Sequence, residues 1–357
     1  MKKFNLSKAL KSHILRLEPY VPGRQVGKKI VRLNANESQL SPTLSVQKAL
    51  ISAVNGSLRF YPEENSKAVR QAASRAFGVP ASNIIADSGS SSLLSTLFRI
   101  ILEKDDIVLS LSPTFSLYKT LASIEQAEFV GISLADDFSL PIKQILKVNP
   151  KLIVIANPNS PTGQVIPIDQ IDELLRKFPR IVIIDEAYAE FAGISVMSLL
   201  RKHRNLIVVK TFSKSQSLAG MRIAFGMATK EIIECVDKVR PTYNMNTLSQ
   251  VAAIEALKNW GKDETSVKDT KKQLSKLASG LSSRGFTVTP SKTNFVLVKV
   301  PDKSLSATKW EEMLRKNGIL VRYFSNDPGL RNFLRISVGT TEEIDELFRV
   351  IDRVLKR

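Results

Sequence analysis

Four short apolar runs constrain the fold of this chain more than any other feature of its sequence. They are rich in β-branched residues and apolar on both faces, as the strands of a buried parallel sheet are. The last three runs are spaced so that a helix and two turns fit between them, which is the βαβ arrangement. We therefore predict a doubly wound α/β domain over residues 45–245. The runs are IVLSL (107–111), LIVIA (152–156), IVII (181–184) and LIVV (206–209).

The pattern of predicted helices and strands changes after about residue 250. This change predicts a second, smaller domain of the α+β class over residues 246–357. Residues 1–44 form an N-terminal arm, which we expect to contribute to the small domain and to the pocket. In this C-terminal part, the spacing of apolar residues predicts helices over 265–286, 306–318 and 341–356, and strands over 294–300, 319–324 and 334–338.

The composition excludes several classes of protein. Of the 357 residues, 43% are hydrophobic and 24% charged, and no apolar run approaches the ~18 residues of a membrane helix. The single cysteine, Cys235, cannot form an intramolecular disulfide, and with only two histidines we expect no metal site. The net charge of +18 is spread along the chain, so we expect a basic surface that attracts anionic substrates, and no nucleic-acid or membrane partner. A cytoplasmic location is the default expectation.

Polar side chains follow each of the four predicted strands. In open α/β sheets, ligands bind outside the carboxyl ends of the strands. Four such ends together predict a single site that is assembled from distant segments. In chain order, the segments after the runs are SPTFSLY, NPNSPTG, DEAY and KTFSKS.

The chemistry of these segments points to one cofactor. They contain no histidine, which disfavours a Ser-His-Asp hydrolase, and the chain has no Walker A sequence. An amine (Lys214), a carboxylate (Asp185) and a phenol (Tyr188) remain in them, and a guanidinium (Arg222) follows seven residues after the last segment. A pyridoxal-phosphate (PLP) enzyme needs such a lysine for the cofactor's aldehyde and an acid partner for its pyridine nitrogen.

Nine motifs over nearly the whole chain resemble those of the fold-type I aminotransferases, and within them most closely the histidinol-phosphate aminotransferases. The resemblance implies a large, mostly parallel doubly wound domain and a smaller α+β domain. The motifs are LEPYVPG (17–23), LNANE (33–37), FYPE (60–63), PTFSLY (113–118), NPNSPTG (157–163), DEAYAEF (185–191), TFSKSQSLAGMR (211–222), GILVRYF (318–324) and LRISVGT (334–340).

The resemblance also implies the residues that contact the PLP ring. Lys214 would bond the aldehyde carbon and move protons, and Asp185 would pair with the ring nitrogen. Tyr188 would donate to the phenolic oxygen, and Phe115 would stack on the ring, where many relatives have Tyr. The residues implied for the cofactor phosphate are Ser88, Gly89, Ser90, Ser91, Thr211, Ser213 and Arg222, at a turn that enters a helix and at the lysine segment.

The same resemblance implies a homodimer and a substrate pocket. Tyr61 would reach the phosphate bound by the neighbouring subunit. Arg335 would hold the α-carboxylate of glutamate, and Arg322 would meet the second anion of either substrate. Tyr20, Asn34 and Asn36 would be the matching contacts on a covering segment. The implied reaction converts histidinol phosphate and 2-oxoglutarate into imidazole-acetol phosphate and glutamate, in histidine biosynthesis.

The chain departs from the family pattern at two places. The family usually has Asn directly before PTG, where this chain has Ser160; Asn157 and Asn159 lie close by. Which of these three bonds the phenolic oxygen therefore stays open. The helix after Gly89 usually begins with an acidic pair, which is Ser91-Ser92 in this chain.

Three other functions fit parts of the pattern. A threonine-phosphate decarboxylase and an aromatic-amino-acid aminotransferase would use the same scaffold, although LNANE and DEAYAEF favour the histidinol-phosphate aminotransferase. A basic binding protein without catalysis is the alternative from another class. The intact set of Lys214, Asp185 and Tyr188 argues against it.

Overall fold

The computed structural model describes residues 4–19, 30–135, 139–262, 265–302, 305–325 and 327–356. Within those ranges the chain forms twelve strands: β1 (Val31–Leu33), β2 (Ile84–Asp87), β3 (Ile107–Leu111), β4 (Glu128–Ile132), β5 (Leu152–Ala156), β6 (Val182–Asp185), β7 (Leu206–Thr211), β8 (Ala224–Met227), β9 (Thr287–Val288), β10 (Phe295–Lys299), β11 (Ile319–Tyr323) and β12 (Phe333–Ser337).

The same ranges contain fourteen α-helices. These are α1 (Leu6–Ala9), α2 (Ser12–Leu15), α3 (Leu44–Ala53), α4 (Lys67–Phe77), α5 (Ser90–Ile101), α6 (Leu117–Ile124), α7 (Ile142–Val148), α8 (Ile168–Lys177), α9 (Ala189–Ala192), α10 (Lys230–Val239), α11 (Thr247–Lys258), α12 (Thr265–Ser282), α13 (Ala307–Lys316) and α14 (Thr341–Leu355). None of them is long and apolar enough to cross a membrane.

A seven-stranded sheet has the order β2-β8-β7-β6-β5-β3-β4. Strands β4, β3, β5, β6 and β7 are parallel, and β8 runs antiparallel to both of its neighbours. The predicted doubly wound sheet is therefore confirmed, with the four apolar runs as β3, β5, β6 and β7. Every residue of β5, β6 and β7 is buried, because helices pack on both faces of the sheet.

Side chains of the central strands alternate between two apolar cores. Ile184 and Val208 belong to one core, together with residues of α4, α8 and α11. Ile183 and Val209 belong to the other, together with residues of α5, α6 and α10. This alternation decides which face of the sheet each polar residue at the strand ends occupies.

A five-stranded sheet of the order β1-β11-β12-β10-β9 lies in the C-terminal part of the chain. Its core contains the fully buried Trp310 of α13 and apolar residues of α12 and α14. Strand β1 joins this sheet by parallel pairing with β11, Val31 opposite Ile319. The segment that follows β1 is thereby attached to the smaller sheet.

The domain boundary predicted at residues 245 and 246 stays a prediction. Helix α11 begins at Thr247, beyond that boundary, but Ala252, Ala253 and Ala256 belong to the core of the seven-stranded sheet. Helix α12 is the first helix whose buried residues, Leu277 and Leu281, lie in the core of the smaller sheet.

Candidate active site

The carboxyl ends of β5, β6 and β7 lie side by side. The N–H of Asn157, just after β5, donates to the Asp185 carbonyl (2.9 Å), and the N–H of Glu186 donates to the Val209 carbonyl (2.8 Å). The last residues of these parallel strands therefore come to one edge of the sheet, as the sequence predicts.

Lys214 follows β7 and carries an amine that protein atoms surround, although its side chain as a whole is only half-buried. Its Nζ donates to the Ala35 carbonyl (3.0 Å), in the segment after β1. Burial lowers the pKa of Lys214 from 10.5 to about 7, and the charges of Arg335 and Arg222 add to this effect, whereas Glu37 and Asp185 oppose it. A large fraction of the amine is therefore neutral, and nucleophilic, near pH 7.

Asp185 is the buried last residue of β6. Tyr118 donates its hydroxyl to Oδ2 (2.9 Å), and the N–H of Ala187 donates to Oδ1 (3.1 Å). Burial raises the pKa of Asp185 from 3.8 to about 6, against the lowering effect of these two hydrogen bonds. Within the described residues the hydrogen bonds of Asp185 come from neutral donors only, so a cationic ring nitrogen would supply a charged one.

Tyr188, on the turn after β6, lies close to the lysine, with its ring centre 5.9 Å from the Lys214 Nζ. Its hydroxyl accepts a hydrogen bond from Asn36 Nδ2 (2.9 Å), and its ring packs edge-on against Phe295 at 5.2 Å. Burial raises the pKa of Tyr188, so the phenol keeps its proton at neutral pH and can act as a donor.

Gly89 and Arg222 meet at the N-terminus of α5. A Cβ on Gly89 would lie 2.3 Å from an Arg222 Nη, and the φ of Gly89 is +90°. Only glycine therefore lets the guanidinium lie against the turn that enters the helix. Arg222 Nη1 also donates to Ser213 Oγ (3.4 Å), and Thr211 Oγ1 donates to the same oxygen (3.0 Å).

The serines of this turn differ in their surroundings. The Ser88 hydroxyl donates its proton to the Asn244 carbonyl, so this proton is already engaged by a protein group. Ser90 is the first residue of α5, and Ser91 is exposed. Near this helix start, where the family usually has an acidic pair, Asp87 supplies a carboxylate: its Oδ1 accepts from the Ser88 N–H (2.6 Å) and the Ser92 hydroxyl (3.1 Å).

The three residues that could bond the phenolic oxygen are placed differently. The Asn157 amide bonds both backbone groups of Ile166, at 3.0 and 2.8 Å. The Asn159 Nδ2 donates to the Pro113 carbonyl and the Thr162 hydroxyl, both at 2.9 Å. Ser160 contacts Tyr188 and Arg335 instead, as described next.

Arg335 of β12 connects the two sheets at the site. Its Nη1 donates to Ser160 Oγ (3.1 Å), and its Nη2 donates to the Asn34 carbonyl (3.0 Å). The Ser160 hydroxyl also interacts with Tyr188. Arg322 of β11 lies directly opposite Arg335 in the antiparallel pairing, and Phe324 lies 5.5 and 5.7 Å from the two guanidinium carbons. Two guanidinium groups this close favour a ligand with more than one negative charge.

Three other aromatic residues were predicted to belong to the site. Phe115 is half-buried, and its ring lies 5.5 Å from the ring of Tyr118, whose hydroxyl bonds Asp185. Tyr61 is 80% exposed and stacks on Tyr243 at 4.5 Å. Tyr20 lies outside the residues that the structure describes.

Sequence reasoning missed three residues of the cluster. Tyr118 is the last residue of the PTFSLY motif, and its hydroxyl donates to Asp185. Its place in that motif could have identified it as a residue of the site. Ser337 and Asn294 hold Asn36 from the smaller sheet: the Ser337 hydroxyl donates to Asn36 Oδ1 and the Asn294 amide to the Asn36 carbonyl, both at 3.0 Å. No pattern in the sequence connects these residues with Asn36, because about 260 to 300 positions separate them.

We expect Gly89→Ala to weaken phosphate binding at this turn. The new methyl group would displace the Arg222 guanidinium, and losing one charge-assisted hydrogen bond would raise the Kd for PLP about 10- to 100-fold. Gly78→Ala is the matched control, because Gly78 also has a positive φ (+67°) but no atom within 4 Å of the place that the added methyl group would take. Equal Kd values for the two variants, measured by titrating the cofactor-free proteins with PLP, would contradict the role of the Gly89–Arg222 contact.

Comparison with known proteins identifies the family of this chain. The sequence profile of the class I and II aminotransferases matches residues 28–351. Histidinol-phosphate aminotransferases of Brachyspira hyodysenteriae and Mesorhizobium japonicum are 36% and 35% identical, over 95% and 91% of this chain and 97% and 88% of theirs. The histidinol-phosphate aminotransferase of Sinorhizobium meliloti, solved in complex with PLP, superposes with a TM-score of 0.88 at 26% identity, over 99% of each chain. The chain belongs to the class I and II aminotransferases, and within them to the histidinol-phosphate aminotransferase family.

Proposed function

We propose that this protein catalyses PLP-dependent transamination between histidinol phosphate and 2-oxoglutarate, a step of histidine biosynthesis, in the cytoplasm. One observation carries the proposal: the Lys214 amine with its lowered pKa, the Asp185 carboxylate and the Arg335 guanidinium share one site. The names of the family members above support the same substrates.

The residues of the site fit PLP. Asp185 offers a buried carboxylate with only neutral hydrogen-bond donors among the described residues, and the pyridinium nitrogen would provide a cationic one. The Gly89 turn, with Arg222, Thr211 and Ser213, offers N–H, guanidinium and hydroxyl donors for a phosphate. Bound there, PLP supplies a conjugated ring that takes up the electron pair left when the substrate α-carbon loses its proton.

Each protein group then has one task. Lys214 Nζ would hold the cofactor's aldehyde carbon at rest. Once the substrate amine had displaced it there, the free amine would accept the proton from the substrate α-carbon and deliver it to the former aldehyde carbon. Asp185 would stabilise the positive charge on the ring nitrogen, and the protonated Tyr118, which donates to this carboxylate, would keep it oriented. Tyr188 and Ser160 would donate to the phenolic oxygen. We choose Ser160 over Asn157 and Asn159, because backbone groups and Thr162 already engage the amides of those two.

Two arginines suit both substrates. Arg335 would bind the α-carboxylate of glutamate, and Arg322 its second carboxylate or the phosphate of histidinol phosphate. Asn36, held by Asn294 and Ser337, would line the same pocket next to Tyr188. The net charge of +18 would raise the encounter rate with these anions.

Single-turnover half-reactions test the substrate. The PLP-loaded protein is mixed with histidinol phosphate, phenylalanine or threonine phosphate, and the change in cofactor absorbance is followed. We expect the highest kcat/KM for histidinol phosphate, because phenylalanine has no phosphate for the two arginines and the family members above are named for histidinol phosphate. A higher value for phenylalanine, or release of CO2 from threonine phosphate, would favour one of the alternative enzymes. Absence of PLP binding would favour a non-catalytic binding protein.

We expect Arg335→Lys to raise the KM for glutamate about 10- to 100-fold, with a smaller effect on kcat. Lysine keeps the charge but cannot form the paired hydrogen bonds that a guanidinium makes with a carboxylate. Arg331→Lys is the control, because Arg331 is exposed and lies only four residues before Arg335. An unchanged KM in Arg335→Lys would argue against this carboxylate contact.

We propose further that the active form is a homodimer, in which Tyr61 reaches the neighbouring subunit's site. Large apolar side chains are exposed close together in sequence, which is typical of an interface. The exposed fractions are 72% for Leu44, 75% for Ile51, 62% for Val54, 59% for Phe60 and 80% for Tyr61.

Mixing two inactive variants tests the shared site. We expect Tyr61→Ala and Lys214→Ala to be poorly active alone, and a re-equilibrated equal mixture to recover up to about a quarter of the wild-type activity. In a mixed dimer, one site would combine Lys214 of one subunit with Tyr61 of the other. No recovery, although mixed dimers are shown to form, would mean that Tyr61 does not act across the interface.

A further inference from the structure

Lys210 is a buried charged residue for which the proposed mechanism has no use. Its side chain is only 4% exposed, and its Nζ lies 2.7 Å from Glu186 Oε2 and 2.8 Å from Glu190 Oε1. The two glutamate side chains are 1% and 15% exposed. Burying charges costs free energy unless each charge is paired. The fold therefore has to hold Lys210 and the two glutamates in contact with one another.

The cluster lies on the far face of the sheet from the site. Lys210 and Glu186 continue the alternation of Val208 and Ile184, which belong to one apolar core. Asp185 and Thr211, their chain neighbours, continue the alternation of Ile183 and Val209, which belong to the other. Lys210 therefore faces away from the site, and its ion pairs are with Glu186 and Glu190.

The two partners of Lys210 bracket a functional turn. Glu186 directly follows Asp185 and precedes Tyr188 by two positions, and Glu190 follows Tyr188 by two. Glu186 is held further by the Ser195 hydroxyl (2.6 Å) and the Val196 N–H (2.5 Å). One ammonium group thus ties both ends of a five-residue turn to β7, and without it the buried Glu186 carboxylate and the partly buried Glu190 carboxylate would repel each other.

Lys210 is also connected to the phosphate-binding segment. Its ammonium group lies 5.8 Å from the centre of the Trp260 ring, which stacks on Phe212 at 5.4 Å. Phe212 is fully buried and stands between Thr211 and Ser213 in the chain. Movement of Lys210 would therefore displace both the 186–190 turn and the 211–213 segment.

We propose that Lys210 is a positioning residue, which holds Asp185, Tyr188 and the Thr211–Ser213 segment in place from the opposite face of the sheet. The assignment rests on the proposed function, since these are the residues that would contact PLP. It adds a requirement for the reaction: a cation bonded to both Glu186 and Glu190.

Lys210→Met tests the requirement, because methionine keeps the length and apolar volume of the side chain without the charge. We expect the Kd for PLP to rise and kcat to fall by about 10²-fold, since a displacement of about 1 Å at reacting groups has effects of that size. The KM for glutamate should change by less than about threefold, because Arg335 belongs to the other sheet. Lys210→Arg should restore both values to within about threefold of wild type, as arginine can bond two carboxylates.

Two further variants separate positioning from general stability. Arg284→Met breaks a partly buried pair with Asp352 of α14, a helix packed on the smaller sheet, and should lower Tm without changing the Kd for PLP. Glu190→Ala releases one end of the turn but leaves the Lys210–Glu186 pair, so it remains informative if Lys210→Met does not fold. We expect it to lower kcat about 10-fold with the KM for glutamate unchanged.

The outcomes distinguish the two proposals. Wild-type values of Kd and kcat in Lys210→Met or in Glu190→Ala would overturn the role of Lys210 alone. Failure of Lys210→Arg to restore a loss seen in Lys210→Met would overturn it as well. A wild-type protein that binds no PLP in the same titration would overturn the proposed function and this assignment with it.

Discussion

Lys214→Ala is expected to lower kcat by about 10⁴-fold or more, because the site loses both its nucleophile and its general base. It should also remove the visible absorbance of lysine-bound PLP. Lys210, four residues earlier in the chain, should not take over, because it is buried on the other face of the sheet in its pairs with Glu186 and Glu190. The measurements are steady-state turnover and the absorbance spectrum of the protein after PLP is added.

Lys177→Ala is the control for this prediction. Lys177 is an exposed lysine paired with Glu173 on α8, and its loss should leave turnover unchanged. Turnover by Lys214→Ala at a rate near wild type, with no other lysine linked to PLP, would sink the assignment of the nucleophile.

The lowered pKa of Lys214 also predicts a dependence of stability on pH. Between pH 7 and about 10.5, the unfolded chain would hold a proton on this amine that the folded, cofactor-free protein does not hold. The free energy of unfolding therefore rises with pH across that window, and below it the penalty of burying the amine is fully present. Lys214→Met should raise the Tm of the cofactor-free protein near pH 7, with a gain that vanishes above about pH 10.5. A gain that does not change with pH would show that packing, not charge, is responsible.

Asp185→Asn is expected to produce the second-largest loss of activity. An amide cannot balance the charge of a protonated ring nitrogen, and removing one partner of a buried charge pair costs about 3–5 kcal/mol. That range corresponds to a fall in kcat of about 10²- to 5 × 10³-fold. The assay is run at saturating PLP, so that the loss does not reflect incomplete loading.

Asp172→Asn is the matched control for Asp185→Asn. Asp172 also accepts a close hydrogen bond, from His203 Nε2 at 2.7 Å, but it lies on α8 away from the strand ends. Its replacement should leave kcat unchanged. A fall of less than about threefold in Asp185→Asn would mean that charge on the ring nitrogen matters little in this enzyme.

The large sheet could be predicted from local pattern. Each apolar run became a strand within one or two residues of its predicted bounds; IVII became Val182–Asp185, and LIVV extended to Thr211. Helix α8 begins directly after Pro167, a residue that is common at helix starts. The strands were predictable because a strand buried on both faces is a continuous apolar run. Such a run can be recognised in the sequence without knowing which strands lie next to it.

Other elements were not predictable in the same way. Strand β8 runs antiparallel within a sheet that is otherwise mostly parallel, and β1 crosses from the N-terminus to join the C-terminal sheet. Both are short, and their place depends on pairing with strands far away in the chain. The sequence segment that carries β1 was expected to contribute to the small domain, but its pairing with β11 was not foreseen.

The sequence by itself determined which residues stand at the strand ends, because the carboxyl ends of parallel strands must meet at one edge. That constraint brought Asp185, Lys214 and the Ser160 loop to a common site. The tertiary structure decided their chemical state. The pKa values of Lys214 and Asp185 depend on burial and on groups such as Arg335, Tyr118 and the Ala35 carbonyl.

The role of Lys210 belongs to the tertiary structure for the same reason. In the sequence it is one of many lysines in a basic chain, beside a lysine with an evident motif. Only the folded chain shows that it is buried between two carboxylates behind the site. Desolvation and Coulomb interactions act between groups that are close in space, and a pattern along the chain carries no record of that closeness.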